Sequence, residues 1–168
     1  PREDQPVAME FLAAGCQVFS LHYSVAPETF PVALMELAKS VAFVKSHARE
    51  WNIDTDRIIV CGFSAGGHLA ACLGMMWNRE FLYGPLNAAP EDIQPTGMIL
   101  CYPVITSGEF GHKRSFEQLL GDRAGDPRLR ELVSLELQAG QQTPRTFLWH
   151  TWTDQSVPCL LYTSDAAD

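Results

Sequence analysis

Two side chains in this sequence have the surroundings of chemical groups rather than of packing. Ser64 lies inside Gly62-Phe63-Ser64-Ala65-Gly66, and Asp154 follows the strand candidate 145–150. A serine hydroxyl attacks a carbonyl when a histidine takes its proton and a carboxylate holds that histidine. A serine and a carboxylate on one edge of a fold therefore suggest acyl transfer. Glycines two positions before and after Ser64 suit a sharp strand-to-helix turn, where side chains would collide, and on such a turn Ser64 is presented rather than buried. The helix expected to begin at Ala65 adds a positive dipole end, and the Ala65 N–H can donate to the oxyanion formed when Ser64 attacks. Gly-x-Ser-x-Gly arises by chance in about one in twenty chains of this length, so the flanking pattern has to carry the weight.

That pattern is strand, turn, helix. Ile58, Ile59 and Val60 form the β-branched run of a fully buried parallel strand, and residues 65–76 are a small-residue helical run. Gly66, Gly67 and Gly74 would let this helix approach the sheet closely. Further strands are expected at 18–23, 97–102 and 145–150. Helices are expected at 6–14, ended by Gly15, and at 31–51, where Leu34, Leu37, Ala38, Val41 and Val44 recur at helical spacing. Residues 81–95 read as loop. Residues 104–142 are an irregular insertion with short helical pieces near 115–120 and 127–132, which could lie over the site. The alternation makes an α/β chain with a mostly parallel sheet and helices on both faces. Chemistry in that architecture collects at the carboxyl ends of the strands, where Ser64 and Asp154 both fall.

The chain has 168 residues, 46% hydrophobic and 19% charged, as an ordinary globular domain does. With a net charge of −8 and no stripe of Lys and Arg, no nucleic-acid partner is expected. No apolar run reaches bilayer length, so no membrane partner is expected either. Cys16, Cys61, Cys72, Cys101 and Cys159 show neither Cys-x-x-Cys pairing nor spacing to His. They read as core thiols in a reducing, cytoplasmic compartment, with secretion left open, and neither a metal site nor a cofactor is implied.

With Ser64 and Asp154 placed, residues 1–158 resemble an α/β-hydrolase of the esterase/lipase type, similar to acetyl esterases and acetylxylan esterases. The motifs that carry the resemblance are Ala26-Pro27-Glu28 before Phe30-Pro31, Gly62-Phe63-Ser64-Ala65-Gly66-Gly67-His68, Tyr102-Pro103, and the run from His150 through Asp154 to Pro158. The resemblance implies that Ser64 is the nucleophile of a catalytic triad and Asp154 its carboxylate, with the Ala65 N–H in the oxyanion hole. It implies a serine carboxylic ester hydrolase acting on short-chain, acetyl esters of a small molecule or carbohydrate, such as acetylated sugars or xylan. The His-Gly-Gly-Gly-like oxyanion loop and the catalytic histidine of that family have no match here. Residues 159–168 break the pattern and resemble the in-frame translation of a transposase sequencing adapter. The expected organisation is therefore a partial α/β-hydrolase domain over 1–158 and a non-native tail over 159–168, truncated at both ends. On that expectation a mid-sheet strand between those at 18 and 58 is missing, and the chain alone folds poorly and hydrolyses nothing at a useful rate.

Rival residues have plainer roles. His68, one turn after Ser64 on the same helix, cannot curl back as the base and reads as a helix histidine near the site. His112 in the insertion is an alternative base. His22 and His150 lie in expected strands and His47 in a helix. Asp122 and Asp126 look like turn and helix-start residues, Met75, Met76 and Trp77 like packing, and Trp152 like a loop aromatic. Two other functions fit the same fold: a serine peptidase, and a non-catalytic module whose pocket holds a ligand.

Overall fold

The computed structural model describes residues 3–154, 156 and 157. The β-branched run after Arg57 becomes β1 (Ile59–Phe63), followed by β2 (Gly97–Cys101) and β3 (Arg145–Trp149). They form one sheet in the order β1-β2-β3 with both pairs parallel, so Cys61 aligns with Ile99 and Phe147, and Phe63 with Cys101 and Trp149. Parallel neighbours need crossovers. The first runs through α4 (Ala65–Met76), α5 (Glu80–Tyr83) and α6 (Pro90–Ile93), and the second through the insertion, with α7 (Lys113–Leu120) and α8 (Pro127–Val133). Ahead of the sheet come α1 (Gln5–Ala13), α2 (Val32–Ser46) and α3 (Ala48–Trp51).

The core lies between one face of the sheet and the helices. Leu34, Ala38 and Val41 of α2, Ala71, Leu73 and Met76 of α4, Met98 and Leu100 of β2, and Phe116 and Leu120 of α7 are all buried in it. α4 comes so close to the sheet that a Cβ on Gly74 would lie 2.0 Å from the Met98 sulfur. That is the close approach expected of this glycine. The other face is open: Ile59 is 56% exposed, Phe147 62% and Trp149 46%. β1 is thus not buried on both sides as expected, because α4 covers only the face that carries Val60 and Gly62.

Three other expectations differ from the structure. The stretch 81–95, read as loop, holds short helical pieces: α5 runs to Tyr83, a 3-10 turn spans Gly84–Leu86, and Pro90 opens α6 as its first helical residue. The helix read as continuous to residue 51 breaks at His47, where φ is −101° and ψ 9°. There the Phe43 carbonyl is crowded by polar partners: the Ser46 hydroxyl donates to it at 2.8 Å and the His47 ring Nδ1 lies 2.9 Å away, in competition with the helical ladder. The stretch 18–23 is not a strand, and no backbone hydrogen bond joins residues 17–24 to β1 among the described residues. Side chains hold it instead. Gln17 donates to the Trp51 carbonyl at 2.6 Å, Phe19 stacks on Trp51 at 5.5 Å, and the Ser24 hydroxyl donates to Glu36 at 2.6 Å. A β-prone sequence becomes a strand only when a ladder partner is beside it. No described helix is long and apolar enough to cross a membrane.

Candidate active site

Ser64 joins β1 to α4 with φ 51° and ψ −118°, a conformation an L-residue adopts at a cost of about 1–3 kcal/mol. The strain is held by the surrounding backbone. Ser64 N–H donates to the Cys101 carbonyl at 3.0 Å, and the Ser64 carbonyl accepts from His68 N–H at 3.1 Å and Val104 N–H at 3.2 Å. The turn is closed so tightly that a Cβ on Gly62 would sit 2.1 Å from the Gly66 oxygen. Downstream the requirement falls elsewhere than expected. A Cβ on Gly66 would meet only the Tyr23 hydroxyl, at 3.7 Å, whereas one on Gly67 would lie 2.8 Å from Pro103 Cβ. The reason is that Gly67, not Gly66, faces the corner after β2, where Tyr102 also has a positive φ of 38°. Ala65 is the first residue of α4, so its N–H has no intrahelical acceptor and stands free at the positive end of the helix.

Asp154 follows β3 at the same carboxyl edge of the sheet. One of its carboxylate oxygens accepts from Val157 N–H at 2.9 Å and Ser156 N–H at 2.8 Å. The Val157 bond above all holds the carboxyl below its usual range, with the Ser156 bond and the nearby His150 acting the same way against partial burial. β1 and β3 are two strand spacings apart, about 10 Å, so the loops bearing Ser64 and Asp154 flank the end of β2. Gln155 and Pro158, in the motif around Asp154, lie outside the described residues, as do residues 159–168 with Cys159.

Among the described residues, the rings of His22, His47, His68 and His112 make no hydrogen bond to the Ser64 hydroxyl. His112 Nδ1 pairs with the Ser115 hydroxyl at 2.9 Å where α7 starts. His22 lies 3.6 Å from Asp4, His47 stacks on Trp51 at 4.6 Å, and His150 Nδ1 is 2.9 Å from the Thr151 carbonyl. Asp126 caps α8 by accepting from Arg128 N–H at 2.9 Å, as helix-start chemistry requires, and Asp122 lies in a single 3-10 turn. Trp152 is 76% exposed.

His68 is more than a bystander on its helix. It is 6% exposed, its Nδ1 meets the Val104 carbonyl at 2.7 Å, and its ring stands edge-on to Phe116 at 5.3 Å. A carbonyl can only accept, so Nδ1 carries the proton. Burial pushes the imidazole down to about 4, opposed in part by the Val104 bond, so at neutral pH the ring is uncharged and Nε2 is a lone-pair acceptor. Val104 thereby ties the corner after β2 to α4 twice, through its N–H to Ser64 and its carbonyl to His68.

Beside the turn opens a cleft of about 150 Å³ between α4, the loop before α2, and α7. Ala65, His68 and Leu69 of α4, Tyr23 and Phe30 of the loop, and Phe116 of α7 line it. The insertion does shape a pocket next to Ser64.

The sequence profile of the BD-FAE family matches residues 2–162. Endo-1,4-beta-xylanase B of Butyrivibrio fibrisolvens is 35% identical over 160 residues, which is 93% of this chain and 25% of that protein. The acetylxylan esterase of Xylanibacter ruminicola is 29% identical over 68% of this chain and 22% of its own length. Among solved structures, the acetyl ester-xyloside bifunctional hydrolase of Caldicellulosiruptor lactoaceticus superposes with a TM-score of 0.83 at 37% identity, over 94% of this chain and 58% of that one. The chain thus spans about a quarter of the length of these curated relatives and somewhat over half of the solved neighbour.

Proposed function

The chain belongs to the BD-FAE family and has the α/β-hydrolase fold, and from that premise we propose that it works as a serine carboxylic ester hydrolase. Its substrates in this proposal are short-chain esters, acetyl esters above all, of sugars or xylan. The observation that carries the proposal is Ser64 at φ 51°, kept there by a turn that admits no side chain at Gly62. Structures retain such strain where it serves a function. Ser64 Oγ attacks the ester carbonyl while its proton passes to a histidine, and the Ala65 N–H receives the negative charge on the carbonyl oxygen. The C–O bond then breaks, the proton goes to the departing alkoxide, and water repeats the sequence on the acyl-enzyme. Asp154 orients the histidine and stabilises its charged form, a role its well-ionised carboxylate supports. The names of two similar proteins, an acetylxylan esterase and an acetyl ester-xyloside hydrolase, support the acetyl and xylose side of the proposal. Of the four described cysteines only Cys72 is buried as a core thiol, whereas Cys16 and Cys61 are exposed, against the expectation from their apolar neighbours.

The test is hydrolysis of p-nitrophenyl acetate and of acetylated xylan by the intact protein beside its Ser64→Ala variant. Loss of about 10⁴-fold or more in kcat, with the melting temperature kept, is the expected result. Equal rates in two well-folded proteins would remove Ser64 as the nucleophile.

A further inference from the structure

A buried side chain with an unpaired polar atom lowers stability, and an apolar residue in its place would not. His68 is such a side chain, since its Nε2 has no hydrogen-bond partner among the described residues. Its ring is accounted for by the other nitrogen, which donates to the Val104 carbonyl at 2.7 Å. Val104 N–H in turn reaches the Ser64 carbonyl at 3.2 Å, alongside His68 N–H at 3.1 Å. The His68 amide comes with the ladder of α4, whereas Val104 lies in a stretch, 103–106, that is neither helix nor strand and has no ladder to fix it. Two further bonds lead from this corner to β3 and to the insertion: Tyr102 N–H to the Trp149 carbonyl at 2.7 Å, and Leu135 N–H to the Ile105 carbonyl at 3.1 Å. The His68 ring ties the corner back to the helix behind Ser64. The Ser64 carbonyl matters because it shares one planar peptide unit with the Ala65 N–H. In a trans unit the two point in opposite directions, so donors that hold the carbonyl also fix the line along which the Ala65 N–H points. They polarise that N–H as well and strengthen it as a donor.

We propose that His68 is a positioning residue for the oxyanion donor: its Nδ1–H holds the Val104 carbonyl, Val104 N–H holds the Ser64 carbonyl, and the Ala65 N–H is thereby aimed. The proposal rests on the esterase function for the oxyanion, and not for the orientation of the peptide. An N–H that acts on charge developing in the transition state changes turnover and leaves substrate binding alone. Losing such a donor outright lowers kcat by about 10²–10³-fold, so loosening its aim is expected to lower kcat about tenfold or more.

The intact protein is compared with His68→Leu, which keeps the bulk and loses the donor, and with His68→Asn, whose side-chain amide can donate to Val104 in place of Nδ1–H. On p-nitrophenyl acetate, His68→Leu is expected to lose about tenfold or more in kcat and equally in kcat/KM, while His68→Asn stays within about threefold of the parent. Exchange of the Val104 amide hydrogen, which needs no turnover, is expected to quicken about tenfold in His68→Leu and much less in His68→Asn. A purely structural role would lower the melting temperature and leave kcat per folded molecule as it is. A leucine variant with the parent's kcat, or an asparagine variant no better than leucine, would overturn the proposal. The parent supplies a check that needs no variant to fold: with its histidine nitrogens labelled, His68 must show a proton on Nδ1 and none on Nε2 at pH 7, and the opposite tautomer breaks the chain at its first link. If the parent hydrolyses no ester, the esterase function fails and Val104 exchange alone decides the clamp, with unchanged exchange in His68→Leu overturning it.

Discussion

At Ser64 stability and the proposed function pull in opposite directions. Its φ of 51° is one that glycine adopts without a steric penalty, so Ser64→Gly is expected to raise unfolding stability by about 1 kcal/mol while abolishing ester hydrolysis. Chemical denaturation of the two proteins checks this, and a variant no more stable than its parent would mean the turn is not strained. His68 makes a second prediction at the same scale. Its folded-state pKa is about 4 against an ordinary 6.5, so the unfolded chain binds the proton first. Its contribution is full above about pH 6.5 and is lost as the pH falls toward 4, by at most about 3 kcal/mol. Asp154, whose pKa is also depressed, acts in the same direction but below the ordinary carboxylate range. Stability measured at pH 7 and pH 4.5 should fall in the parent and fall distinctly less in His68→Asn. Ser64 and Gly62 were legible in the sequence because a motif of fixed spacing encodes a local turn. The clamp on Val104 was not, since it joins residues 36 apart and no pattern of residue types announces it.

For the elements, the informative contrast is between two adjacent glycines of α4. Gly67 packs on Pro103, so Gly67→Ala is expected to destabilise by about 1–3 kcal/mol and to lower activity by shifting the Ser64 turn. Gly66 has ordinary room, and alanine there gains helix propensity, so Gly66→Ala should be neutral or stabilising by up to about 1 kcal/mol. Melting curves of the two variants settle the matter, and equal destabilisation would contradict the geometry. The sequence assigned both glycines to one role because helical spacing alone does not say which faces the sheet corner. The same distinction governs the larger elements. α4, β2 and β3 were readable because their patterns are local and strong. The stretch 18–23 misled because its residues prefer a strand, yet a strand needs a neighbour, and here Trp51 and Asp4 supply side-chain contacts in its place, to Phe19 and to Ser20. The cleft could be anticipated only as an insertion near the site, since its walls come from three separate parts of the chain.

In the molecule as a whole, one sheet face is buried under α4, against which α2 packs in turn, and the other presents Ile59, Phe147 and Trp149 to solvent. The strand register brings Cys61, Ile99 and Phe147 into one row across that face, and Phe63, Cys101 and Trp149 into the next. The exposed side chains are therefore continuous with one another and not scattered, which is the arrangement that drives association between molecules. β1 and β3 are also open along their outer edges among the described residues, and unpaired strand edges template further pairing. The 168-residue chain expressed as it stands is accordingly expected to bind a hydrophobic dye strongly and to sediment as mixed oligomers at micromolar concentration. Ile59→Lys together with Phe147→Lys should shift it toward monomer, because both side chains point away from the core and the charges oppose stacking of one open face on another. Sedimentation velocity on the two proteins decides the point. A parent chain that is monomeric and leaves the dye dark would show that this face is not a sticky surface, and that its apolar rows are satisfied within the chain itself.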